Sequence, residues 1–262
     1  MRCVLVTAIA MLMWCSSGWA QRPSDAEASA LIARSRQKAH DYAASLPDFV
    51  ATEIIHRYTG SEAVKGFWSP TDTLTIQLRY FQHKEDHKLT LIDGKPTRQT
   101  FETLEGTIGS GEFGTTLGAV FDAASQTSFH WQSWKNLRKR RVAVFEYVVN
   151  GPHSRYRLGT TADGRTVEAD VTFHGVLEID AETGEVLHLE YAADHIPEAL
   201  HLRYAGTTVD YDFADIGGRE YLLPAHSQTE MRGPAESMKN IVEFRDYHKF
   251  AADSTVDFGP AK

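Results

Sequence analysis

Cysteine is almost missing from this chain: Cys3 and Cys15 are its two copies, both within the first twenty residues. The rest of the sequence therefore has no disulfide framework, no thiolate metal site and no cysteine nucleophile. Positive charge is also short, with 27 Lys and Arg against 35 Asp and Glu and a formal net charge of −8. That balance opposes the counterion release on which phosphate-backbone binding depends, and it excludes nucleic acid as the expected partner. Past the N-terminus no run approaches the roughly 20 apolar residues of a membrane-spanning helix.

Catalytic signatures are equally sparse. Ser35-Arg36-Gln37-Lys38 has the spacing of an acyl-transfer Ser-x-x-Lys pair, but its partner motifs are missing, so a solvated helix face is the better reading. His83 and His87 bracket two acids, yet on a strand residues four apart lie roughly 13 Å from each other, too far for one ion. Gly109-Ser110-Gly111-Glu112-Phe113-Gly114 fits the dinucleotide-binding glycine pattern without the preceding strand or the following acid, and reads instead as a hinge. Asp210 and Asp212 share one polar strand face and call for no catalytic role. No metal, cofactor or catalytic residue is expected.

The first twenty residues have the layout of a cleaved export signal: Arg2, an apolar run from Cys3 to Trp14, and Gly18-Trp19-Ala20 before the cut. Trp14 ahead of Cys15 fits poorly with lipid attachment, so the mature chain is expected to start at Gln21 without an acyl group. It would be soluble and periplasmic or extracellular, with residues 21–262 forming one domain.

Ser24-Asp25-Ala26-Glu27 is a capping box, and Leu31, Ile32, Ala39, Tyr42, Ala43 and Leu46 continue at helical spacing until Pro47. From Phe49 the period becomes two. Val50, Ile54 and Tyr58 are read as apolar positions interleaved with Glu53 and Arg57; Leu74, Ile76, Leu78 and Tyr80 follow, and then Lys88 to Ile92 before Asp93-Gly94. Phe113, Leu117, Val120 and Phe121 suit a short inserted helix. Strands resume at Phe129, Trp131 and Trp134, at Val142 to Val149 up to Gly151-Pro152, and at Arg155 to Leu158 and Thr166 to Phe173.

The clearest unit is the hairpin from Gly175 to Asp194. Leu177 and Ile179 alternate with acids, Leu187, Leu189 and Tyr191 alternate with His188 and Glu190, and Asp180 to Gly184 makes the turn. Leu200 to Tyr204, Thr207 to Phe213, Tyr221 to Met231 and Ile241 to Phe250 complete a mainly β (α+β) chain. A strongly curved antiparallel sheet or incomplete barrel of about ten strands is expected, with an N-terminal helix and a short inserted lid helix.

Two patches carry the functional expectations. Leu74, Ile76, Leu78, Leu177, Ile179, Leu187, Leu189 and Tyr191, covered by Phe113, Leu117 and Phe121, would enclose an apolar hollow for a lipid-like ligand. Trp131 and Trp134, followed by Lys135, Arg138, Lys139, Arg140 and Arg141, form the main basic cluster of an acidic chain. That cluster suits either a membrane or partner docking surface or a plain solvated hairpin.

The order of helix, meander, glycine-flanked helix in SGEFGTTLGAVF (Ser110 to Phe121) and hairpins through GVLEIDAETGEVLHLEY resembles the LolA-like family of periplasmic lipoprotein carriers. That resemblance implies a curved half-barrel holding acyl chains, with a lid-holding arginine that either Arg57 or Arg79 would supply. The extra C-terminal strands depart from the family pattern. The expected function is an exported non-enzymatic carrier or sensor of a lipid or acylated protein. The alternatives are a structural or interaction component of the cell envelope and, weakest, a hydrolase.

Overall fold

The computed structural model describes residues 21–61, 66–100, 104, 112–149, 153–154, 156–162 and 165–250. The expected export signal, Gly109 to Gly111 and Gly151-Pro152 lie outside them. Helix α1 (Asp25–Ser45) opens on the anticipated box: Ser24 Oγ accepts the Glu27 amide, and the Glu27 carboxylate accepts the Ser24 amide at 2.8 Å. Helix α2 (Thr115–Phe121) is one short wedge.

The strands are β1 (Phe49–Ser61), β2 (Trp68–Phe81), β3 (Lys84–Ile92), β4 (Lys95–Pro96), β5 (Ser128–Leu137) and β6 (Arg140–Val149). They continue with β7 (Tyr156–Ala162), β8 (Arg165–Asp180), β9 (Val186–Asp194), β10 (Tyr204–Asp215), β11 (Glu220–Arg232) and β12 (Glu236–Lys249). All pair antiparallel in one 12-stranded sheet ordered β4-β3-β2-β1-β12-β11-β10-β9-β8-β6-β5, with β7 on β8. Among the described residues nothing joins β5 to β3 or β4, so the sheet is an open half-barrel. The expected architecture is present.

Its curvature has local causes. Register shifts interrupt six of the pairings, including Arg57/Tyr58, Trp131/Ser133, Glu178/Ile179 and Asp210/Tyr211, and each bulge bends and twists its strand. Gly175 lets β8 press onto β9: a Cβ there would sit 1.7 Å from the Glu190 carbonyl, the same oxygen that accepts the Tyr147 hydroxyl.

Three local differences from the sequence reading stand out. On β1 the phase is reversed, since Phe49, Ala51, Glu53 and Ile55 face inward and Val50 and Ile54 do not. Leu200 ends a 3-10 turn after Pro197, and the next strand begins only at Tyr204. Leu187 occupies the β9 bulge, where Val186 takes its place opposite Ile179. The Asp180 turn forms as expected, its Oδ1 accepting the amides of Glu182 and Thr183 and Gly184 taking φ +78.

Candidate functional site beneath the helices

The inner face of the sheet and the two helices share one core. Leu74, Ile76, Leu78, Leu177, Ile179 and Leu189 are fully buried, and Phe113, Leu117, Phe121 and Tyr191 join them in the same cluster. Leu187 is buried too but lies outside that cluster, because the bulge rotates it away from Leu189 and Tyr191. The apolar face expected from the sequence therefore packs against α1 and α2 in one cluster.

Helix α1 covers this face through a narrow stripe, Leu31, Ser35, Ala39 and Tyr42, two of whose members are small. Its other fastenings are polar. Arg36 Nε donates to the Phe121 carbonyl at 3.1 Å, Arg34 reaches the Glu182 carbonyl at 3.3 Å, and Lys38 pairs with Glu185 at 3.4 Å. At its C-terminal end the Ala43 carbonyl accepts both Tyr80 Oη (3.2 Å) and His83 Nδ1 (3.0 Å). Neither arginine proposed as a lid holder reaches a helix through its ion pair: Arg57 pairs with Asp72 and Arg79 with Asp86, each on a sheet strand. His83 and His87 also part company, His83 going to α1 and His87 to Glu53 and Glu85.

Two clefts flank α1. One, of about 410 Å³, has Leu46, Leu117, Val186, Phe213 and Leu222 among its lining residues; the other, of about 540 Å³, has Ala28, Ile32, Phe129, Trp131 and Phe145. Of the residues picked from sequence as ligand contacts, Leu117 lines the first; Trp131, picked for docking, lines the second.

Helix α2 is fixed far more firmly by the three residues before it. Phe113 sits among Phe49 and Phe244, both at 5.6 Å, and Tyr80 at 6.3 Å. Gly114 takes φ +107 and lies so close to Tyr42 that a Cβ would be 2.8 Å from its ring. The Glu112 carbonyl accepts Tyr211 Oη at 2.9 Å, and its carboxyl oxygen accepts Ser227 Oγ at 3.3 Å. Burial pushes this carboxyl up to about 7.

A second charged group lies on the inner face. Glu53, buried on β1, meets His87 Nδ1 at 3.0 Å, and Glu85 meets Nε2 at 3.4 Å. Burial opposes protonation of His87, but the two carboxylates outweigh it and hold the imidazolium up to about 10. Sequence reasoning missed Glu112, Glu53 and His87 as interior groups. The reversed phase of β1 was the available signal, since Phe49, Ala51 and Ile55 share the parity of Glu53.

The basic cluster is largely committed to its own sheet. Lys135 pairs with Glu178 at 2.7 Å, Arg138 with Asp212 at 2.7 Å, and Arg140 with Asp180 at 3.0 Å; Arg141 stacks 3.8 Å over Trp134. Arg138 and Lys139 both take positive φ at the hairpin tip, and Arg138 also donates to the Tyr211 carbonyl at 2.5 Å. Lys139 is exposed. Trp131 and Trp134 meet edge to face, and Trp134 Nε1 donates to the Gln21 carbonyl at 2.8 Å.

No family model and no curated protein matches the chain. Among solved structures, it is similar to a DUF1329 family protein from Desulfovibrio piger, at 11% identity and a TM-score of 0.34, over 92% of this chain and 96% of that one. It is also similar to a putative outer membrane lipoprotein-sorting protein domain from Vibrio parahaemolyticus, at 12% identity and a TM-score of 0.33, over 82% and 89% of the two chains. A third is a LolA superfamily protein from Nitrosomonas europaea, at 10% identity and a TM-score of 0.28, over 86% and 94%. No helix among the described residues is long and apolar enough to cross a membrane.

Proposed function

We propose that the protein is an exported, non-enzymatic carrier or sensor that takes a lipid-like or acylated ligand against the inner face of its sheet, entering by the clefts beside α1. The observation that supports this most is the imbalance in how the face is covered. α1 buries four residues against it, two of them small, with Ala28 and Ile32 partly buried alongside, and its ties through Arg34 and Lys38 are exposed and contribute little individually, while the sheet beneath is mainly apolar. An acyl chain of about ten methylenes would gain roughly 8 kcal/mol on burial before binding costs.

The second reading, a structural or interaction component of the envelope, is favoured by the full burial of Leu74, Ile76 and Leu78 among the protein's own side chains. Titration with a fluorescent fatty acid separates the two. Saturable binding that is weakened by Ile32→Asp or Leu222→Asp supports uptake beside α1, because both side chains line a cleft and are only partly buried. No binding, with no lipid seen by native mass spectrometry, leaves the envelope reading.

A further inference from the structure

The cleft between the first half of α1 and strands β5 and β6 is more than an apolar slot. Its floor carries Phe129, Trp131 and Phe145, its wall Ala28 and Ile32, and its polar lining includes Arg22, Arg36 and His130 against the single acid Asp25. Phe129 is stacked on Phe121 at 5.5 Å, so this floor runs on into the core under α2. Arg22 stands 5.9 Å over the Trp131 ring. Its contact with Asp25 is long, 3.9 Å, and both side chains are highly exposed, so the guanidinium is not tied down.

Trp131 supplies the second observation. Its Nε1 is buried and has no hydrogen-bond partner among the described residues. A buried N–H without an acceptor is costly, and such groups mark places where an acceptor is missing. In a chain with a net charge of −8, a cleft with two arginines against one acid, and an unsatisfied donor beside them, is complementary to an anionic oxygen group joined to an apolar chain.

Resting on the ligand reading above, we infer that this cleft selects amphiphiles with an anionic head, a carboxylate or a phosphate, which Arg22 and Trp131 Nε1 receive while the chain follows Phe129 toward the core. Arg36 contributes charge from its place on the Phe121 carbonyl. Trp131 therefore acts in selection of the ligand rather than in docking to a surface.

The test compares a fluorescent fatty acid with the neutral alcohol of the same chain and label, at constant ionic strength. Wild-type protein should bind the acid about tenfold more tightly, the scale of one charge-assisted contact. Arg22→Glu, at an exposed position, should abolish that preference, with affinity for the acid falling to that for the alcohol or below it. Trp131→Phe, which keeps the aromatic floor and removes the donor, should reduce it in part. Equal binding of acid and alcohol by the wild type, or an undiminished preference in Arg22→Glu, would overturn the inference and leave the ligand reading standing. Binding of neither probe would overturn both. Inorganic phosphate alone should not displace the acid; if it does, the cations serve a free anion and the amphiphile assignment is wrong.

Discussion

Replacing Glu112 with Gln tests whether the interior of the half-barrel holds a protonated carboxyl. The side chain is buried, accepts a hydrogen bond from Ser227 Oγ, and feels the acids Glu53 and Glu85 and the hydroxyls of Tyr211 and Tyr191. Its carboxyl is raised from an ordinary 4.5 to about 7. A raised carboxyl binds its proton more tightly in the folded chain, so its stabilising effect is complete below 4.5 and is lost as pH rises through 7. The shift corresponds to about 3 kcal/mol between those limits. His87 adds a slope of the same sign, lost between its ordinary 6.5 and about 10, whereas the lowered acids Asp180 and Asp210 act only below the window. Urea unfolding followed by tryptophan fluorescence from pH 5 to pH 8 would measure the difference. Glu112→Gln should lie within about 1 kcal/mol of the wild type near pH 5 and exceed it by about 3 kcal/mol near pH 8. Parallel profiles for the two proteins would show that Glu112 is ionised in the fold, and the reasoning would be wrong.

Other substitutions separate the contacts that hold the fold. Phe113→Ala should lower stability by about 3–5 kcal/mol in chemical denaturation, since it empties the aromatic socket ahead of α2. Ser24→Ala should cost about 1 kcal/mol through the lost capping box. Gly175→Ala should yield no folded protein, judged by loss of near-ultraviolet circular dichroism, because the methyl overlaps the Glu190 carbonyl. Arg140→Ala should lower stability by about 1–3 kcal/mol, since it removes the cation from the buried Asp180 carboxylate.

The parts of the fold that could be read from the sequence are those where one local pattern meets no competitor. The capping box at Ser24 and the Asp180 to Gly184 turn satisfy their own backbone groups and need nothing distant. The apolar residues of β2 alternate against strongly polar ones, so their face is unambiguous. β1 failed because both parities carry apolar residues and Glu53 was taken as the outward marker. What turns Glu53 inward is His87, on a strand two places away in the sheet and unreadable from local period. Leu187 failed for a related reason: period two holds only until a bulge, and the shift between Glu178 and Ile179 puts Val186 where Leu187 was expected. The basic cluster showed its charge in the sequence but not its partners, Glu178, Asp180 and Asp212, which come from β8 and β10.

The two helices differ in how they are fastened. The short Phe113 to Phe121 segment was expected to be the lid, on the strength of its glycines. In the structure, Glu112 is tied to β10 and β11, Phe113 to β1, β2 and β12, and Gly114 to α1, so α2 cannot leave without undoing contacts to five strands. α1 carries a different arrangement: two small residues among the four of its buried stripe, a cleft on each side, and exposed ties through Arg34 and Lys38 that water replaces at little cost. On the carrier reading proposed above, a ligand that enters beside α1 should displace α1 and leave α2 in place. A spin label at exposed Gln37 should then gain mobility when a fatty acid is added, while one at exposed Thr115, the first residue of α2, should not. Equal change at both positions would mean that the helices leave together and that the Glu112 to Gly114 fastening does not hold.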